Sequence, residues 1–164
     1  MKLVVFLICS LTSWVSPDVS ELRSTYPKAN KSEEVTEELF VKLSPVTKTD
    51  DAVLVAYKGA VSTLKAKYAQ KLRDKKNFFK SGAELIEYAA AIKPGNIEIR
   101  CIRLSVQENS PKVVGYKESI EEDKGFLLHN FAKISSDEIR EFVKNYALQS
   151  SVFDASEKQL FSGR

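Results

Sequence analysis

The stretch NIEIRCIRLSVQ, residues 96–107, sets two arginines and a glutamine among six apolar residues. Its β-branched residues and the alternation of Ile97, Ile99 and Cys101 favour a strand, but Ile102 and Leu104 fall out of step with that alternation. Wound at about 100° per residue, Arg100, Arg103 and Gln107 fall within an arc of about 60°, and the apolar residues occupy much of the remainder. The stretch is therefore predicted to be a mostly buried helix with one polar stripe. A helix apolar on most sides needs neighbours on most sides, which places it in the interior.

Upstream, Val53, Tyr57, Ala60, Val61, Leu64, Tyr68 and Leu72 advance by three or four residues. That spacing gives a core-facing helix capped by Thr49 or Asp50. The segment NFFKSGAELIEYAAAIKPGN, residues 77–96, has the broad apolar face of a second long helix, ended by Pro94 and Gly95. Together they form an antiparallel hairpin. Between Lys65 and Lys80 lie Lys67, Lys71, Arg73, Lys75 and Lys76, opposed only by Asp74. Such a run reads as a solvated helix end and turn, with contact to an anionic surface as the other reading. Before the hairpin, Val35, Leu39 and Leu43 mark one face of a short helix that stops ahead of Pro45.

Downstream, a connector built around Pro111 and Gly115 leads to two further helices. Ser119 with Glu122, and Ser135 with Glu138, have the spacing of capping boxes before periodic apolar residues. The final residues, 151–164, carry scattered apolar side chains and read as a loose tail.

The N-terminus has Lys2, then an apolar run from Leu3 to Leu11, then small and polar residues before Pro17. That is the layout of a secretory signal peptide over residues 1–16, too short for a permanent membrane span. Residues 17–32, rich in Ser, Pro, Asn, Asp and Lys, read as a flexible arm. Residues 33–150 form the helical domain. Cys9 lies inside the apolar run, so after cleavage Cys101 would remain as a lone thiol, most simply a small buried apolar residue.

The 25 basic and 22 acidic residues are interspersed along the chain and leave a formal charge of +3, which does not point to nucleic acid. No nucleotide-binding glycine loop, metal-ligand spacing or nucleophile elbow is present. No cofactor and no metal site is expected. His129 falls opposite the apolar face of its helix, and a thiol buried among apolar residues is inert, so neither supports catalysis. The carboxylates Glu84 and Glu87 lie on a polar helix face, and Glu121, Glu122 and Asp123 occupy a first helical turn where negative charge suits the helix dipole.

Arg100 and Arg103 are the informative pair. Guanidiniums on a mostly buried helix must meet carboxylates, carbonyls or a bound anion. Glu98 points elsewhere, so Glu84, Glu87 and Asp123 on neighbouring helices are the candidate acids. Two readings stay open: a structural ion-pair network, or an anion-binding groove formed by Arg100 and Arg103 with Gln107 and Tyr116.

The segment from AYKGAVSTLKAKYAQ through AELIEYAAAIKPGN resembles a tetratricopeptide-like helical hairpin at Tyr57, Ala60, Tyr68, Ala89 and Pro94, although it lacks the early Trp and a second copy. Residues 52–146, through AELIEYAAAIKPGNIEIRCIRLSVQENSPKVVGY and IEEDKGFLL, are similar to small exported helical proteins of uncharacterised function from Bacteroidota. That resemblance implies export from a bacterial cell and carries no activity.

The expectation is an all-α domain of about five or six helices, an irregular bundle or short helical-hairpin stack. Its expected role is that of a non-enzymatic interaction module, periplasmic or envelope-associated, meeting an envelope protein partner. The alternative is a binder or carrier of a small anionic or amphipathic ligand. An open groove with exposed apolar residues would favour the first, and a closed cavity the second.

Overall fold

The computed structural model describes residues 16–163, so the signal-peptide expectation lies almost wholly outside the described residues. Among them the fold is all-helical, with eight helices where five or six were expected: α1 (Val19–Ala29), α2 (Glu33–Lys42), α3 (Ala52–Tyr68), α4 (Leu72–Ile92), α5 (Ile97–Asn109), α6 (Ile120–Asn130), α7 (Asp137–Gln149) and α8 (Ala155–Ser162). Two single 3₁₀ turns, Lys112–Val114 and Phe131–Lys133, complete the chain.

The centre is α3. Every residue from Ala52 to Tyr57 is buried, because the run AVLVAY is apolar all round and must be enclosed all round. Asp51 caps the helix by accepting from the Val53 amide, one residue beyond the expected caps. The helix ends at Tyr68, and Leu72, expected at the end of the α3 stripe, instead opens α4 and is 82% exposed. The α4 helix runs back antiparallel along α3, and the two meet backbone to backbone at Gly59 and Gly82. A Cβ on Gly59 would lie 2.6 Å from the Gly82 carbonyl oxygen.

The stretch 96–107 is the buried helix expected of it. Asn96 caps α5 by accepting from the Ile99 amide at 3.0 Å. Ile99, Ile102 and Val106 face a core shared with α1–α4. Cys101 and Leu104 face a second core formed with α6, α7 and α8. The α5 helix is thus the common wall of two cores, and the polar stripe is the strip left between them.

Both ends of the chain depart from expectation. Residues 19–29 are helical rather than an arm: Leu22 and Ala29 are buried, and the Tyr26 ring meets Tyr57 edge-on at 5.5 Å. These three residues recur at helical spacing within a polar segment. Asp18 caps the helix, and Arg23 pins it by donating to both oxygens of the buried Glu98 (2.8 and 3.0 Å) and to Glu138 of α7 (2.8 Å). The 151–164 tail likewise contains a docked helix. Asp154 and Glu157 form a capping box at the start of α8, and Phe161 packs edge-on against Phe131 and Phe153 at 4.8 and 5.0 Å.

The expected boxes at Ser119 and Ser135 do not form. The Ser119 side chain makes no capping bond; its amide donates to Gln107 Oε1 instead. Ser136 rather than Ser135 caps α7.

Candidate functional site

The arginine stripe is an ion-pair network, the first of the two readings left open. Arg103 grips Asp123 with two parallel bonds, Nε to Oδ2 at 2.7 Å and Nη2 to Oδ1 at 2.8 Å, and reaches Glu87 through Nη1 at 2.9 Å. Arg100 donates through Nη1 to Glu122 (2.6 Å) and Asp123 (2.7 Å), and through Nε to the Pro94 carbonyl. Its guanidinium also lies over the Phe126 ring. Burial works against the Arg103 charge, but the hydrogen bonds and charge of Asp123, with Glu87 behind them, outweigh it and raise the guanidinium pKa above its ordinary value. Asp123, one of the acids offered for the arginines and also read as a first-turn residue suited to the helix dipole, is fully buried as the hub of the cluster. Glu84 takes no part; it lies 3.9 Å from Lys80.

The network positions the connector after α5. The Tyr116 hydroxyl donates to the second oxygen of Glu87 at 2.6 Å, and Lys117 donates to the carbonyls of Gln107 and Glu108. Gln107 is buried and holds the Ser119 amide. Gly115, the one described residue in the left-handed region (φ 69°), makes the turn that swings Tyr116 inward.

Beside this connector lies an open groove of about 1770 Å³. Ten positions of α4, from Leu72 to Ala91, line it in one continuous band, and the C-terminal half of α5 with the connector provides a facing surface. Residues of α1, α3 and α7 complete the lining. Of the four residues expected at a binding site, Gln107 and Tyr116 line this groove, whereas Arg100 and Arg103 do not and stand behind it with their charges met by acids. Residues the sequence did not single out supply most of its character. Phe79 meets Tyr116 edge-on at 5.9 Å, Ala83 leaves space at mid-length, and Leu72 and Val113 stand 82% and 92% exposed.

The charges of the groove are unevenly committed. Glu87 is held by Arg103 and Tyr116. Glu108 accepts from Tyr146, Ser150 and both the amide and hydroxyl of Ser151. Burial pushes the Glu108 carboxyl pKa up, but these donors overcome it and hold the pKa below its ordinary value. A carboxylate lowered on folding contributes stability above its unfolded pKa of about 4.3 and loses it as pH falls toward the folded value. The melting temperature of the wild type is therefore expected to fall more steeply below about pH 4.3 than that of Glu108→Gln, as followed by circular dichroism. Parallel acid limbs would show that the four donors do not favour the ionised form.

Lys48, Lys67, Lys75, Lys76 and Lys80 also line the groove, and Lys75 and Lys76 have no acidic partner among the described residues. His129 is exposed on α6 away from the lining, and burial, with the charges of Glu98 and Asp123, pushes the Cys101 thiol well up. Among the described residues no group of three or more His, Cys, Asp and Glu side chains could hold a metal ion. No helix among them is long and apolar enough to cross a membrane. No protein-family model, curated protein or solved structure matches the chain.

Proposed function

We propose that this chain is a non-enzymatic interaction module of the cell envelope whose groove receives a segment of a partner protein. The observation that carries this reading is the open groove along the length of α4, where Leu72, Phe79, Ala83 and Tyr88 are interleaved with charged residues and Leu72 and Val113 stand exposed. Large apolar side chains left in solvent around a concave surface favour recognition of another molecule. The apolar N-terminal run with its preceding lysine supports placing the mature protein outside the cytoplasm. A second reading, a carrier of an anionic amphiphile, draws on the same apolar lining and its lysines.

Native mass spectrometry of the protein isolated gently from its own envelope separates them. The expected result is a stoichiometric protein partner on the wild type that is lost from Ala83→Arg, a half-buried position where a long side chain fills the groove. A discrete added mass of small-molecule size would establish the carrier instead, and a bare monomer would remove the groove as a site.

A further inference from the structure

The groove also carries information about what fills it. Resting on the reading of the groove as a partner site, we propose that its occupant is an acidic amphipathic helix of about five turns. Its apolar face would lie along α4, and its carboxylates would meet the lysines around the α3–α4 turn.

Length is the first argument. The lining positions of α4 extend from residue 72 to 91, and at 1.5 Å per residue they span about 29 Å, the length of a helix of roughly 20 residues. A compact ligand would leave most of that band uncovered. Surface chemistry is the second. Leu64, Phe79, Ala83, Val106 and Val114 offer an apolar seat without a buried polar group in need of a specific partner. That is the surface into which an amphipathic helix lays its apolar face.

Charge complementarity decides the sign. Four acids line the groove: Glu87 and Glu108 are consumed by donors within the fold, whereas Glu84 and Glu118 are exposed, so the five lining lysines face two uncommitted carboxylates. The lysines are not consumed in the same way. Lys75 and Lys76 have no acidic partner among the described residues, and Lys80 has only a 3.9 Å approach to Glu84. Lys67 donates to the Asn30 carbonyl and meets no acid among the described residues, and Lys71 extends the charge across the turn. A basic partner helix would leave these charges facing like charges, whereas an acidic one is steered in and fixed in register. Lys67, Lys75, Lys76 and Lys80 line a concavity, so a helix can reach them together with the apolar seat, while a lipid surface would touch the rim alone.

The test uses the purified protein and two fluorescein-labelled peptides of about 20 residues with the same Leu/Phe face. One has a Glu-rich polar face and the other a Lys-rich one, and binding is read by fluorescence anisotropy. At low salt the acidic peptide is expected to bind roughly tenfold tighter than the basic one, with the gap closing as salt screens the lysines. The exposed double variant K75E/K76E is expected to lose that preference while melting like the wild type, and Ala83→Arg to lose both peptides. Equal binding of the two peptides, still abolished by Ala83→Arg, would overturn the acidic occupant and leave the groove reading standing. Failure of both peptides to bind would overturn both. Retention of the protein on phosphatidylglycerol vesicles, with the acidic peptide unable to compete, would assign the lysines to a membrane and overturn the proposal.

Discussion

Asp123→Ala is expected to lower the stability of the protein by about 3–5 kcal/mol, because removing one partner of a buried charge pair strands the other. Two guanidiniums are stranded here. Asp123 is fully buried, and the side chains of Arg103 and Arg100 are only 8% and 11% exposed. Glu87 and Glu122 remain near them but are 43% and 61% exposed, and neither can occupy the centre of the cluster. In a domain of this size the loss corresponds to a fall in melting temperature of roughly 10 °C. Glu122→Ala, an exposed partner, is expected to cost less than about 1 kcal/mol. The double replacement Asp123→Leu with Arg103→Met is expected to recover only part of the loss, since apolar residues of similar volume can replace a buried ion pair but Arg100 is left with the exposed Glu122 as its acid. A melting temperature for Asp123→Ala close to wild type would show that the cluster does not hold α4, α5 and α6 together.

The second large effect runs against helix propensity. Alanine is the better helix former by about 1 kcal/mol, so Gly59→Ala and Gly82→Ala in isolated helices would stabilise. In this fold they are expected to destabilise by about 2 kcal/mol or more, net of that gain. The added Cβ on Gly59 would lie 2.6 Å from the Gly82 carbonyl and 3.0 Å from the Ile86 amide nitrogen. On Gly82 it would lie 2.5 Å from the Gly59 carbonyl and 2.9 Å from the Thr63 nitrogen. These are backbone atoms, so relief requires α3 and α4 to separate. Gly125 in α6 is the control: a Cβ there meets nothing within 4 Å, and Gly125→Ala is expected to stabilise by up to about 1 kcal/mol. Once the helices are apart a second methyl costs less, so the Gly59/Gly82 double variant should lose less than the sum of the two. Urea unfolding of the four proteins checks the signs, and a stabilised Gly59→Ala would refute the close approach.

What the sequence disclosed and what it hid follow from the range of the interactions involved. The α3–α4 hairpin and the buried α5 were legible because their evidence is local: periodicity, then Pro94 and Gly95 as a stop. The acids that meet the arginine stripe were partly legible too. An inward guanidinium demands a carboxylate, and two of the three acids offered, Glu87 and Asp123, are the ones that answer.

Helices α1 and α8 were obscured by composition. Leu22, Tyr26 and Ala29 keep helical spacing, but Ser, Lys and a proline between them dilute the signal, and Phe161 meets Phe131 only once the end of α6 and α8 are brought together. Glu98 was set aside as a poor partner for the arginines of its own helix. Its actual partners, Tyr57 and Arg23, lie on α3 and in a segment read as an arm. The groove belongs to no single stretch of chain, since five helices and a connector line it. The run of lysines announced charge near the turn, but its relation to Phe79, Ala83 and Tyr116 exists only after folding.

The clasp at Arg23 sets an order of assembly. Its acceptors, Glu98 and Glu138, lie 75 and 115 residues further along the chain. An 11-residue helix is too short to persist by itself in water. A chain emerging N-terminus first therefore presents α1 unlatched until α5 and then α7 have followed it. Throughout that interval α1 remains available to whatever machinery handles the growing chain, and the latch closes only once the 115 residues that separate Arg23 from Glu138 have been made.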